Sequence, residues 1–113
     1  MFDPNNFRLD GQVALVTGAG AGIGRGIARL FAGAGAAVVV SDLHAETAEA
    51  VASEIAEAGG QAVGIACNVT KEADLEAAVN TAVDRFGKLT ILVNNAGGRA
   101  PKTFDMHMDD FRW

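Results

Sequence analysis

The chain has 113 residues, half of them hydrophobic, and a net charge of −5. That length suits one ordinary domain, and an acidic chain without a basic stripe is unsuited to neutralising nucleic-acid phosphates. No apolar run reaches the length of a membrane span. Residues 1–10 carry Asp3, Arg8 and Asp10 with no apolar core and do not read as a signal peptide. The lone Cys67 excludes an intrachain disulfide and fits a reducing cytoplasm.

Met1 to Leu9 reads as an irregular lead-in, with Pro4, Asn5 and Asn6 disfavouring regular structure, and Asp10-Gly11 as a turn. Val13 to Val16 is a short apolar run rich in β-branched residues, suited to a strand covered on both faces. Thr17 ends it, and Gly18, Gly20, Gly22 and Gly24 follow. Ile23, Ile27, Leu30, Phe31 and Ala34 then recur at helical spacing, with Gly35 suited to close the helix. A strand feeding a helix through glycines leaves free backbone N–H groups at the positive end of the helix dipole, which suits a phosphate. Glycines also let a pyrophosphate approach the backbone without meeting a Cβ. A P-loop would need Gly-Lys-Ser/Thr, whereas Arg25 and Gly26 follow Gly24, and the strict GxGxxG spacing does not fit either. What fits is Thr-Gly-x-x-x-Gly-x-Gly, on Thr17, Gly18, Gly22 and Gly24. A ligand-free glycine turn is the plainer alternative.

Ala36 to Ser41 reads as a second buried strand, ended by Asp42, twenty residues beyond Gly22. A dinucleotide site places an acidic residue at about that distance, where it accepts hydrogen bonds from the adenosine ribose hydroxyls. A carboxylate there also repels a 2′-phosphate, and no Lys or Arg follows at Leu43, His44 or Ala45, so the expected preference is NAD over NADP. Asp42 also suits the N-cap of the next helix, and the two roles need not exclude each other.

From Ala45 to Ala58 the residues Ala48, Val51, Ala52, Ile55 and Ala58 form an apolar helical stripe, closed by Gly59-Gly60. Gln61 to Ala66 is the third strand. Thr70 is expected to N-cap a third helix, with Glu72 and Asp74 in its first turn and Leu75, Ala78, Val79, Ala82, Val83 and Phe86 keeping the period until Gly87. Leu89 to Val93 is the fourth strand, followed by Asn94-Asn95-Ala96-Gly97-Gly98. Arg99 onward begins as a loop through Pro101 and turns helical from Met108.

Strand–helix–strand alternation implies a three-layer α/β fold around a doubly wound parallel sheet of Rossmann type, with right-handed crossovers and strand order 3-2-1-4. The order reverses between strands 1 and 4, where ligands bind. Both glycine-containing loops follow those two strands and so face one crevice.

Taken together, Thr17-Gly18-Ala-Gly-Ala-Gly22-Ile23-Gly24, Asp42, Asn68-Val69 and Asn94-Asn95-Ala96-Gly97 resemble the short-chain dehydrogenase/reductase family over the whole chain. Within it, Met1-Phe2, Arg8-Leu9-Asp10-Gly11 and Gly97-Gly98-x-x-Pro101-Lys102-x-Phe104-Asp105-Met106 look like the bacterial 7α-hydroxysteroid dehydrogenases, a pattern that related alcohol dehydrogenases largely share. The resemblance implies that Gly18, Gly22, Ile23 and Gly24 hold the pyrophosphate of NAD. Asp42 and Leu43 would hold the adenosine ribose, and Asn68 and Val69 would flank the adenine. Asn95, Ala96 and Gly97 would line the path to the nicotinamide ribose. The family more often has Asp at position 68; Asn offers both a donor and an acceptor to adenine, and a plain strand-end turn residue is its alternative role.

The resemblance also implies a catalytic Tyr, a Lys four residues later, an orienting Ser, and an Asn on the helix after the fourth strand. The sequence has no Tyr, and Lys71, Lys88 and Lys102 match no such motif. Residues 1–113 are therefore expected to be the incomplete N-terminal part of an NAD-binding domain, without catalytic residues. His44 and His107 suit surface or capping roles, Asp105, Asp109 and Asp110 a solvated first helical turn, and Cys67 a small packed residue. No metal site is indicated. The implied function is an NAD-dependent oxidoreductase of secondary alcohols or ketones, with a hydroxysteroid or bile acid as the sharper substrate. Full-length family members are usually homo-oligomers. A non-catalytic dinucleotide-binding module and an inactive truncated product stay open as alternatives.

Overall fold

The computed structural model describes residues 8–96. They alternate as β1 (Val13–Val16), α1 (Gly22–Gly33), β2 (Ala37–Asp42), α2 (Ala45–Glu57), β3 (Gln61–Ala66), α3 (Glu72–Phe86) and β4 (Ile91–Val93). The strands form one parallel sheet in the order β3-β2-β1-β4, as the sequence predicts. Leu15 lies opposite Val39 on one side and Leu92 on the other, so β1 is an interior strand. The chain winds outward from β1 to β3 and then returns to the far side of β1, which opens a crevice beyond the ends of β1 and β4.

Period-two alternation sends strand side chains to two separate cores. Val16, Val38 and Val40 pack with Ala28, Ala32, Ala48, Val51 and Ile55 of α1 and α2. Val13, Leu15, Val39 and Leu92 pack on the opposite face with Leu75, Ala78 and Ala82 of α3. The result is the expected three layers. All four β1 residues are buried, as the apolar run of that strand requires.

Some local expectations need correction. The face α1 turns inward is Gly24, Ala28 and Ala32, while Ile23 is 77% and Leu30 54% exposed. A stripe of small residues lets the helix axis approach the sheet, and the larger apolar residues flank the contact or stand outside it. The cap of α1 is Ala34, and Gly35 follows it in the left-handed region. The Gly35 N–H bonds the Ala32 carbonyl and the Ala36 N–H the Phe31 carbonyl, which closes the last turn. Ala58 is exposed, just beyond the end of α2.

Thr70 does not cap α3. Its N–H and its hydroxyl both bond Asn68 Oδ1, at 3.0 and 2.6 Å, and the helix starts after Lys71. The carboxylate of Asp74, in the first turn, reaches back to the Asn68 N–H at 2.9 Å. β4 is shorter than the apolar run 89–93, because the Thr90 hydroxyl takes over as acceptor for the Val13 N–H at 2.9 Å. The expected loop and helix after residue 98, with His107, Asp105, Asp109 and Asp110, lie outside the described residues.

Candidate functional site

The glycine loop leaves β1 at Thr17 and crosses the ends of two strands before α1 begins. The Thr17 N–H bonds the Val93 carbonyl at 3.0 Å and the Ala19 N–H the Ser41 carbonyl at 2.9 Å. Gly18 (φ 62°) and Gly22 (φ 59°) supply the two left-handed turns, a region that residues with a Cβ enter only at a cost. A Cβ on Gly22 would project into open space. Ala21 occupies the N-cap of α1 and brings no side-chain acceptor, so no side chain caps the first-turn donors of that helix. Such an end suits an anionic group.

Gly24 plays a different part. It is buried, and a Cβ there would strike the Gly18 carbonyl and come within 2.5 Å of Asn95 Nδ2. Its role is to let α1, the loop and the chain after β4 close together. Ile23 is on the outside of the same turn.

The chain after β4 is fastened to the glycine loop by side chains. Thr17, 1% exposed, accepts hydrogen bonds at Oγ1 from the N–H groups of Asn95 (3.0 Å) and Ala96 (3.1 Å). Its own hydroxyl hydrogen can go to Asn94 Oδ1 at 3.3 Å or to the Val93 carbonyl at 3.4 Å. Asn95 Nδ2 donates to the Gly18 carbonyl at 3.2 Å. Sequence reading placed Thr17 in the motif but gave it no role.

Gly18, Asp42, Leu43, Asn68, Val69 and Ala96 line one cleft of about 260 Å³, together with Cys67 and Thr70. Six of the predicted site residues thus meet around one space. Asp42 does not cap α2: His44 holds that position without a side-chain cap bond. Instead, Asp42 Oδ2 accepts a 2.7 Å hydrogen bond from the Gly20 N–H. Val69 is 8% exposed and belongs mainly to the core on the α3 side. Asn68 commits its oxygen to Thr70, so its turn role is realised, and its Nδ2 group makes no hydrogen bond among the described residues. Gly97 lies outside the described residues.

Cys67 is 3% exposed, and burial, then the nearby Asp74 charge, pushes its thiol up to about 11. It is a packed wall residue and not a nucleophile at neutral pH. Among the described residues no group of three or more His, Cys, Asp or Glu converges on a metal-sized space, and no helix is long and apolar enough to cross a membrane.

The "short chain dehydrogenase" family model matches residues 12–113. The chain belongs to the short-chain dehydrogenase family. It is 55% identical over 112 residues to the 7alpha-hydroxysteroid dehydrogenase of Escherichia coli K12, covering 99% of this chain and 44% of that one. It is 49% identical over 96 residues to a mitochondrial borneol dehydrogenase of Lavandula x intermedia, covering 84% of this chain and 35% of that one. Among solved structures, a 7alpha-hydroxysteroid dehydrogenase complexed with NADH and 7-oxo glycochenodeoxycholic acid superposes with a TM-score of 0.80 at 55% identity. That match covers 97% of this chain and 43% of the other. The chain thus spans less than half the length of the curated relatives it matches. The glycine loop, Asp42 and the Asn95–Ala96 turn sit around the crevice beyond the ends of β1 and β4.

Proposed function

We propose that these residues form the NAD-binding part of an oxidoreductase that interconverts a secondary alcohol and a ketone, with a hydroxysteroid as the preferred substrate class. The observation that carries the cofactor reading is the Asp42 carboxylate, held at the end of β2 on the wall of the cleft with Leu43, not a basic residue, beside it. A carboxylate there accepts bonds from ribose hydroxyls and repels a 2′-phosphate. Gly18, Gly22 and the uncapped start of α1 fit a pyrophosphate, since donors and space coincide there and a Cβ on Gly22 would fill the approach. The Asn68 and Val69 wall fits an adenine, and Asn95 and Ala96 fit the path toward the second ribose, a role that the family resemblance extends to Gly97. The nicotinamide ring, when bound, supplies the hydride acceptor. What this chain's residues do is bind, orient and select the dinucleotide.

The hydroxysteroid substrate class is supported by the 55% identity to the 7alpha-hydroxysteroid dehydrogenase of Escherichia coli. We place the acid/base Tyr, its Lys partner and the orienting Ser outside these 113 residues, which contain no Tyr, and so read them as an incomplete domain. A cytoplasmic location and assembly into homo-oligomers belong to the same reading. The absence of Tyr also favours a second reading, a dinucleotide-binding module without turnover. The intact mass of the product in its source cells separates them. A mass more than twice 11.6 kDa supports the oxidoreductase, and a mass near that value overturns it in favour of the module.

The cofactor assignment is tested by titrating NAD and NADP into the protein and its Asp42→Ala variant. Loss of a charge-assisted hydrogen bond weakens NAD binding roughly tenfold or more, and the preference over NADP shrinks. An Asp42→Ala protein that keeps the full preference would overturn the role given to Asp42.

A further inference from the structure

Resting on the reading of Asp42 as the ribose-selecting group, we propose that Gly20 is the residue that sets where that carboxylate points, and so is a specificity-determining position in its own right. Oδ2 of Asp42 is held at 2.7 Å by the Gly20 N–H, while Oδ1 makes no hydrogen bond among the described residues. One oxygen is therefore fastened to the glycine loop and the other is left for the cleft that Asp42 lines. A charge-assisted bond of this length fixes the carboxylate before any ligand arrives, which lowers the ordering cost of binding.

The latch depends on position 20 having no side chain. A Cβ there would lie 2.6 Å from Asp42 Oδ2, 2.8 Å from its Cγ and 2.9 Å from Thr47 Oγ1. Relief on either side is restricted. Asp42 sits on a strand paired with Ala66 of β3, and the Thr47 hydroxyl is tied to the His44 carbonyl at 2.8 Å in the first turn of α2. The remaining freedom is rotation of the carboxylate away from the loop. Gly20 thus acts on the ribose end of the site through Asp42, while Gly18 and Gly22 shape the loop itself. Gly20 shows no positive φ, so alanine there meets the carboxylate and Thr47 without backbone strain.

The experiment is a set of NAD and NADP titrations on the full protein as its cell makes it, in the native, Gly20→Ala, Asp42→Ala and doubly substituted forms. The expected result is that Gly20→Ala weakens NAD roughly tenfold and shrinks the preference over NADP, and does neither in the Asp42→Ala background. Gly20→Ala with native preference, or with an equal effect in both backgrounds, overturns this inference while the Asp42 reading stands. Asp42→Ala with native preference overturns both. Hydrogen exchange at the Gly20 amide in the cofactor-free protein gives a readout that needs no substitution at Gly20. Asp42→Ala is expected to speed it roughly tenfold, and an unchanged rate overturns the latch.

Discussion

The hydroxyl oxygen of Thr17 lies 3.0 Å from the amide nitrogen of Asn95, although 78 residues of chain separate them. With the Ala96 bond it makes one side chain the acceptor for two consecutive backbone donors. Replacing it by the isosteric valine leaves those donors without a partner in a part-buried place. Thr17→Val is expected to destabilise the protein by about 1–3 kcal/mol, read by urea unfolding, and to weaken cofactor binding. Thr17→Ser keeps the acceptor and is expected to retain most of both. Equal losses in the two variants would remove the hydroxyl from the account.

Two glycines make a matched pair of steric tests. Alanine at Gly24 would strike the Gly18 carbonyl and Asn95 Nδ2, and alanine at Gly64 would come 2.6 Å from the Glu49 amide nitrogen of α2. Overpacking of this kind costs about 1–3 kcal/mol, so both variants are expected to unfold at lower urea. Only Gly24→Ala moves the walls of the crevice. Dinucleotide affinity should fall in that variant and hold in Gly64→Ala under conditions where both are folded.

Arg25 and Glu54 join α1 to α2 through a two-pronged pair, at 2.9 and 2.6 Å. The guanidinium holds the Glu54 carboxyl below the ordinary carboxylate range, chiefly through the hydrogen bond. The folded state therefore binds that proton more weakly than the unfolded one. The contribution is present above the ordinary carboxylate value and is lost as pH falls through the lowered one. With both side chains about 40% exposed (40% and 38%) the effect is small and salt-sensitive. Glu54→Gln is expected to flatten the acid limb of the stability profile slightly, and 1 M salt to reduce the difference. An unchanged acid limb would show that the pair contributes nothing.

Cys67 gives a pH prediction of the opposite sign. Burial raises its thiol to about 11, so the folded state holds the proton more tightly and stability falls as pH rises from the ordinary thiol value toward 11. Alkylation by iodoacetamide at pH 8 is expected to be slow in the native protein and fast in denaturant. Rapid labelling of the folded chain would contradict the burial.

The fold was legible because its signals are local. Val13–Val16, the glycines after Thr17 and the stripe Ala48, Val51, Ala52 and Ile55 each report on their own segment, and alternation does the rest. The strand order and the meeting of Gly18, Asp42, Leu43, Asn68, Val69 and Ala96 at one cleft follow from topology. Contacts that depend on distance in space were not legible. Nothing in spacing says that Thr17 reaches Asn95, that Asp42 turns to the Gly20 amide and not to α2, or that Asn68 takes the hydroxyl of Thr70 away from α3. Hydropathy also misjudged α1, because Gly24, Ala28 and Ala32 carry the contact by being small while Ile23 and Leu30 stand outside.

The central position of β1 has a consequence for the newborn chain. Of the four described strands, synthesis delivers β1 first and β4 last, yet in the sheet they are neighbours. As the chain leaves the ribosome, β2 and β3 can zip onto one side of β1 in turn. Its other side waits until residues 91–93 emerge. Until then this interior strand is an open edge, the exposure that native sheets otherwise guard against, and the crevice beyond β1 and β4 is the last part of the described chain to be completed.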